Sequence, residues 1–394
     1  MSDTGAVAQA GAAGDASVHG TVADGFDEIR AEFAAVVAAE TAESGAQLAV
    51  HHDGRLVVDL WAGAGMTATT LTGIFSNSKG AAYVTVALLV QEGVLDLDRQ
   101  VASYWPEFSP DGSDRLTLRE LLAHRSGRIG VDGGFTPEEL ADDRLIAERL
   151  AGQRPFWEPG TGYGYHGLVI GALVGEVVRR ATGRTLQEVY EERVRAPYGL
   201  DVWLGLPEAE EARFAPVRPS LPTPEQQALM AAHAPAADSL LAVAFNRAGG
   251  ADFSLADYVN SRAVRALGPA SAGGVGSARG LSRLYAAALC GVDGRPALLK
   301  PETVAEFTRR HWTGTDLVTG ERDHFALGFE THGLRYPPLG PDAFGHAGAG
   351  GSEAFADPGS GLAYGYTRRR LGFPVGPGPE NQRLVAALMR SLKG

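Results

Sequence analysis

From Ser76 to about Gln91 the chain carries helical spacing and is apolar nearly all round. A helix without a polar stripe must be covered on every side, so this segment predicts a central element with other layers packed about it. Gly93 ends it. The exception to its apolar character is the first turn, Ser76-Asn77-Ser78-Lys79. Residues i and i+3 share a helix face, so an amine stands beside a hydroxyl at a buried helix start. Of the 35 Lys and Arg residues only Lys79, Lys300 and Lys393 are lysine. Arginine does not deprotonate, whereas a buried lysine shifts its pKa and can serve as a base. A serine hydroxyl needs such a base to become a nucleophile, and a helix N-terminus supplies free N–H groups for an oxyanion. The alternative is a capping serine beside a solvated lysine.

The rest of the chain reads as layers around that helix. Residues 26–42 have helical spacing, and 47–50 and 56–61 alternate around His52-Asp53-Gly54, an Asp-Gly hairpin signal. Thr117 with Glu120, and Thr185 with Glu188, make capping boxes, and Thr223-Pro224 opens another helix. Residues 168–181 and 276–289 read as helices, 326–330, 354–357 and 362–367 as strands, and 381–392 as an amphipathic helix. The expected fold class is therefore α/β (α+β): an antiparallel sheet flanked by helices, with an inserted all-helical domain. The expected division is a disordered tail over 1–24, an α/β domain over 25–115 plus 246–394, and the helical insertion over 116–245.

A net charge of −12 gives no basic surface for phosphate backbones, so no nucleic-acid partner is expected. No apolar run approaches the ~20 residues of a membrane span. The first 20 residues lack a cationic start followed by an apolar core, and a cytoplasmic location is expected. Cys290, the single cysteine, leaves no internal disulfide and no cysteine zinc site.

Two further segments carry chemistry. Pro159–Gly167 is a Gly-rich loop holding Tyr163, Tyr165 and His166. Its G-x-G-x-x-G does not follow a strand, so a dinucleotide is not expected. Its glycines could instead bring a tyrosine hydroxyl to a reacting centre, or Tyr165 could be a packed loop aromatic. Phe344-Gly345-His346-Ala347-Gly348-Ala349-Gly350 reads as a Gly-rich strand that a ligand or another backbone approaches. His346 could line a site there or serve as a structural hydrogen-bonder. G-x-S-x-G and H-E-x-x-H are both absent.

Taken in order, S-x-x-K, the tyrosine loop and the H-x-G strand resemble the serine β-lactamase and penicillin-binding-protein superfamily, and within it the family VIII carboxylesterases related to class C β-lactamases. Leu121-Leu122-Ala123-His124-Arg125-Ser126-Gly127 and residues 45–63, 93–98 and 345–358 fit the same pattern, and the resemblance covers about 25–392. It implies that Ser76 is the acylated nucleophile, Lys79 its base and Tyr165 the proton shuttle to the leaving group. It implies an oxyanion hole from the N–H groups of Ser76 and Ala349, and a substrate-binding set of His346, Gly348, His166 and Gly167. Gly167 departs from the Asn of Y-x-N, and His346 departs from the lysine of K-T-G that binds a β-lactam carboxylate. The implied activity is hydrolysis of a small-molecule ester through an acyl-enzyme, with no cofactor or metal. Acyl transfer, amide or β-lactam cleavage on the same residues, and a non-catalytic binding descendant, are the alternatives.

Overall fold

A computed structural model describes residues 17–40, 45–108, 112–248, 253–373 and 375–393. Its main sheet contains β1 (His19–Val22), β2 (Ala46–His52), β3 (Arg55–Ala62), β7 (Glu330–Thr331), β8 (Phe344–Ala347), β9 (Glu353–Asp357) and β10 (Leu362–Arg368). The order is β1-β3-β2-β10-β9-β8-β7, and every pairing is antiparallel. The two ends of the chain thus meet in the middle of one sheet, Tyr364 of β10 standing opposite Val50 of β2. A small second sheet joins β4 (Thr72–Gly73), β6 (Val275–Gly276) and β5 (Val202–Trp203).

Strand alternation sorts the sheet into two packed faces. Leu48, Val50, Tyr364 and Tyr366 meet Ile29 and Phe33 of helix α1 (Asp27–Ala38), together with Leu384 and Leu388 of the C-terminal helix Glu380–Ser391. On the other face Ala354, Ala356 and Ala363 receive Leu281, Leu284 and Tyr285 of the helix Ala278–Leu289. The small residues let that helix lie close: a Cβ at Gly365 would stand 2.3 Å from Ala278 O. Helix α2 (Asn77–Gln91) packs against the β8 and β9 end of the sheet and is buried on all sides from Asn77 to Leu89, as its composition requires. The capping boxes at Thr117, Thr185 and Thr223 all form.

Two expectations need correction. Residues 19–22, assigned to a disordered tail, form β1 and pair with β3. Residues 1–16 of that tail lie outside the described residues. Residues 326–330 are a tight turn rather than a strand, with only Glu330 entering β7. The Ala326 N–H donates to Phe329 O, and Gly328 holds φ +82° where the Tyr83 ring lies 2.5 Å from a would-be Cβ. A left-handed glycine pressed against an aromatic ring bends an otherwise extended apolar run.

Candidate active site

Ser76 is the N-cap residue of α2, yet it does not cap. Its backbone is helical (φ −64°, ψ −9°) rather than extended, and its Oγ takes no helix N–H. The preceding residue, Phe75, is held at φ +51°, a strained conformation for a bulky side chain. Burial keeps it there: Phe75 is 1% exposed, and its ring edge lies 2.7 Å from where a Cβ on Gly350 would sit. The turn is pinned further by Ser78 Oγ, which donates to Phe75 O and accepts from Gly274 N–H.

Lys79 Nζ lies 3.1 Å from Ser76 Oγ and donates to Gly167 O and Ser271 O, both at 2.7 Å. Burial lowers its pKa to about 7, against the opposing pull of the Glu330 and Asp143 carboxylates. A neutral amine has two N–H bonds and one lone pair. The two carbonyls take the two N–H bonds, which leaves the lone pair for the Ser76 hydroxyl proton. The Tyr165 hydroxyl donates to Ser76 Oγ at 2.8 Å from the other side, and Lys79 Nζ stands 4.9 Å from the centre of its ring. Burial raises the phenol well above its usual range, so Tyr165 keeps its proton.

The tyrosine loop is fixed through its backbone. Asp316 Oδ1 accepts the Tyr165 N–H, His124 Nδ1 accepts the His166 N–H, and His124 O accepts the Gly164 N–H. Phe325 stacks on the Tyr165 ring at 5.4 Å. His166 is wholly buried, donating from Nδ1 to Gly164 O and accepting at Nε2 from Ser126 Oγ. Burial holds its pKa at about 4, which suits that neutral ring. The structure therefore corrects the substrate-binding expectation for His166, which braces the loop and does not line the cavity. Gly167 likewise contributes its carbonyl to Lys79 instead of a surface for substrate. A side chain there would begin 3.0 Å from Ala244 O and 3.3 Å from the Phe245 ring.

His346 requires the same correction. The pleat of β8 puts Ala347 on the cavity and turns His346 inward beside the rings of Tyr165 and Phe325. Its Nδ1 lies 3.0 Å from Ala347 O and 3.1 Å from Glu330 Oε1. Burial keeps it neutral, with a pKa of about 3. Gly348 and Ala349 do line the cavity, opposite Ser76. A Cβ on Gly348 would stand 2.2 Å from Ser352 Oγ and 2.7 Å from Ile74 O, so only glycine lets this strand end approach the Ser76 turn. Asn77 Nδ2 bridges the two segments by donating to Ser352 Oγ. Among the described residues, the Ser76 and Ala349 N–H groups have no acceptor.

The cavity above Ser76 measures about 780 Å3. One wall is apolar, with Leu229, Met230, Leu241, Phe245, Phe253 and Phe373; the other carries Glu321, His324, Glu330 and Arg335. Burial disfavours the Glu330 charge, but the Arg335 guanidinium beside it outweighs that and holds the carboxyl at about 2. Among the described residues, no three His, Cys, Asp or Glu side chains gather in a way that could hold a metal ion.

A family model described as beta-lactamase matches residues 30–387. The chain belongs to the beta-lactamase family. The esterase/beta-lactamase LipL of Mycobacterium tuberculosis is 32% identical to this family member over 353 residues, covering 84% of this chain and 78% of that protein. Among solved structures, EstA from Arthrobacter nitroguajacolicus Rue61a matches with a TM-score of 0.87 and 40% identity, over 95% of this chain and 98% of that one. A family VIII carboxylesterase matches with a TM-score of 0.84 and 33% identity, over 95% and 100%. The protein is an enzyme of this superfamily, with the superfamily's fold of an antiparallel sheet flanked by helices.

Proposed function

We propose that this family member is a carboxylesterase working through an acyl-enzyme on Ser76. The observation that carries the reading is the hydrogen bonding of Lys79, whose two N–H bonds are spent on Gly167 O and Ser271 O beside the serine hydroxyl. As Ser76 Oγ attacks the ester carbonyl, its proton passes to the Lys79 lone pair. The carbonyl oxygen becomes an oxyanion and takes the free N–H groups of Ser76 and Ala349. The tetrahedral adduct then breaks its bond to the alcohol oxygen, which receives a proton from Tyr165. Lys79 returns a proton to Tyr165, leaving both groups neutral. Water repeats the attack on the acyl-enzyme, giving one proton to Lys79; the new adduct breaks its bond to Ser76 Oγ, which takes a proton from Tyr165 as Lys79 returns its own to Tyr165, and the acid leaves with Ser76, Lys79 and Tyr165 restored. No cofactor enters these steps.

The names of the similar proteins support an ester substrate. His346, buried and neutral where a lysine would bind a carboxylate, supports a neutral small-molecule ester over a β-lactam. Ser76→Ala tests the reading. It is expected to lower turnover of p-nitrophenyl butyrate by several orders of magnitude, as loss of a hydrolase nucleophile does (about 10⁶-fold in a protease), and to abolish labelling by a fluorophosphonate. Unchanged turnover in this variant would overturn the assignment.

A further inference from the structure

Asp143 is a titratable group that the chemistry above does not use; it opens the helix Asp143–Ala151 and does not line the cavity. Its Oδ2 accepts from the Ala270 N–H and from Gln187 Nε2, both at 2.9 Å. The same Gln187 amide donates to Gly268 O at 3.2 Å, so one clamp grips the 268–270 turn at both ends. The next residue is Ser271, whose carbonyl holds Lys79. Ser271 is fixed from below as well, because its Oγ accepts the Gly171 N–H at 2.7 Å. A Cβ on Gly171 would stand 2.3 Å from Ser271 N, so the helix backbone and the turn are in contact.

Asp143 is half-buried as a residue, but its Oδ1 is enclosed and has no partner among the described residues. Hydrogen bonding alone does not require this. An asparagine Oδ1 accepts the same two donors, and leaving a buried charged oxygen unpaired is costly. What a carboxylate adds is negative charge near the amine, and Asp143 is one of two carboxylates that raise the Lys79 pKa against its burial.

We infer that Asp143 is a positioning residue for Lys79: through Ala270 and Gln187 it presents the Ser271 carbonyl to the amine, and its carboxylate adds a second negative charge to that of Glu330 in the amine's surroundings. The inference rests on Lys79 being the base. The groups facing Lys79 from the surrounding elements are Tyr165 and His166 of the tyrosine loop, His124, Glu330 of β7, His346 of β8, and Asp143. Burial keeps the three histidines neutral, so the negative charges are Glu330 and, above the pH of about 6 to which burial raises its own carboxyl, Asp143.

The test compares kcat/KM against pH for wild type, Asp143→Asn and Gln187→Leu with p-nitrophenyl butyrate. Asp143→Asn keeps an acceptor and removes the charge. Lys79 then loses its proton more readily, the acid limb moves to lower pH, and activity at pH 6.5, where the native Asp143 is still mostly ionised, rises roughly twofold relative to the plateau. Gln187→Leu keeps the charge and frees the turn. It is expected to lower kcat by roughly tenfold through misplacement of the amine, with KM and the acid limb unmoved. An Asp143→Asn limb superimposable on wild type overturns the inference, as does a Gln187→Leu defect confined to KM. Wild-type fluorophosphonate labelling is run alongside. Its absence would sink the esterase reading itself, whereas normal labelling with an unmoved limb sinks only the role of Asp143.

Discussion

Replacing Lys79 by methionine separates the chemistry of the amine from its packing. The native amine stays neutral down to a pKa of about 7, whereas a lysine in the unfolded chain protonates near 10.4. Between these values unfolding takes up one proton, so wild-type stability rises with pH by about 1.4 kcal/mol per pH unit. The contribution is complete above pH 10.5, falls away as pH drops towards 7, and is flat below that. The whole span amounts to about 5 kcal/mol, of which about 4 falls between pH 7 and pH 10. Methionine has similar length and no titration. It leaves Gly167 O and Ser271 O without a donor, at a cost of about 1–3 kcal/mol each that does not vary with pH. The stability of wild type minus that of Lys79→Met should therefore climb by about 4 kcal/mol from pH 7 to pH 10. Urea unfolding of both proteins across that range, followed by far-UV circular dichroism, measures it. A flat difference would refute a depressed amine, and a falling one would mean that the site holds the lysine charged.

Two other outcomes are expected. The kcat/KM profile of wild type should rise through a single acid limb near pH 7 and then stay level to pH 10, because Lys79 must be neutral while burial keeps Tyr165 protonated; a stopped-flow or plate assay with a neutral ester checks it, and an alkaline limb near pH 8 would contradict the phenol's role. Gly348→Ala should lower kcat by roughly 10²-fold by forcing the strand end away from Ile74 and Ser352, with little change in the melting temperature, and steady-state kinetics beside calorimetry reads both.

The close pairing of Ser76 with Lys79 was legible because it breaks the pattern of its own helix. Lys79 is a charge on a segment that is apolar everywhere else, and no packing argument explains it. The Asp53-Gly54 hairpin and the capping boxes were legible for the same local reason, since turn and cap geometry demand particular side chains. The carbonyls of Gly167 and Ser271 were not, because a backbone acceptor leaves no trace in the choice of residue. His166 and His346 were drawn into the substrate-binding set by their neighbours in sequence. The pleat and the loop backbone decide which of two adjacent side chains faces the cavity, and they turned both histidines inward. β1 was missed because four residues of mixed polarity on a sheet edge carry almost no periodic signal. The 326–330 run was misread because its bend depends on Tyr83, which is distant in sequence.

The pairing of β2 with β10 has a consequence for synthesis. The end of α2 at Gln91 and the start of β10 at Leu362 are separated by 362 − 91 = 271 residues. At about 5–20 residues per second, a ribosome needs roughly 14 to 54 s to cover that interval. For that time β10, one of the two strands that flank β2 in the finished sheet, does not yet exist, and a helix with no polar face has emerged before its covering layers are made. Pairings between such distant segments are slow to form and leave apolar surface open to other chains meanwhile. The half-site made by Ser76 and Lys79 also waits for Gly348 and Ala349. On the proposed mechanism, catalytic competence arrives only with the last quarter of the chain, and the interval before it is when a nascent molecule most needs a chaperone.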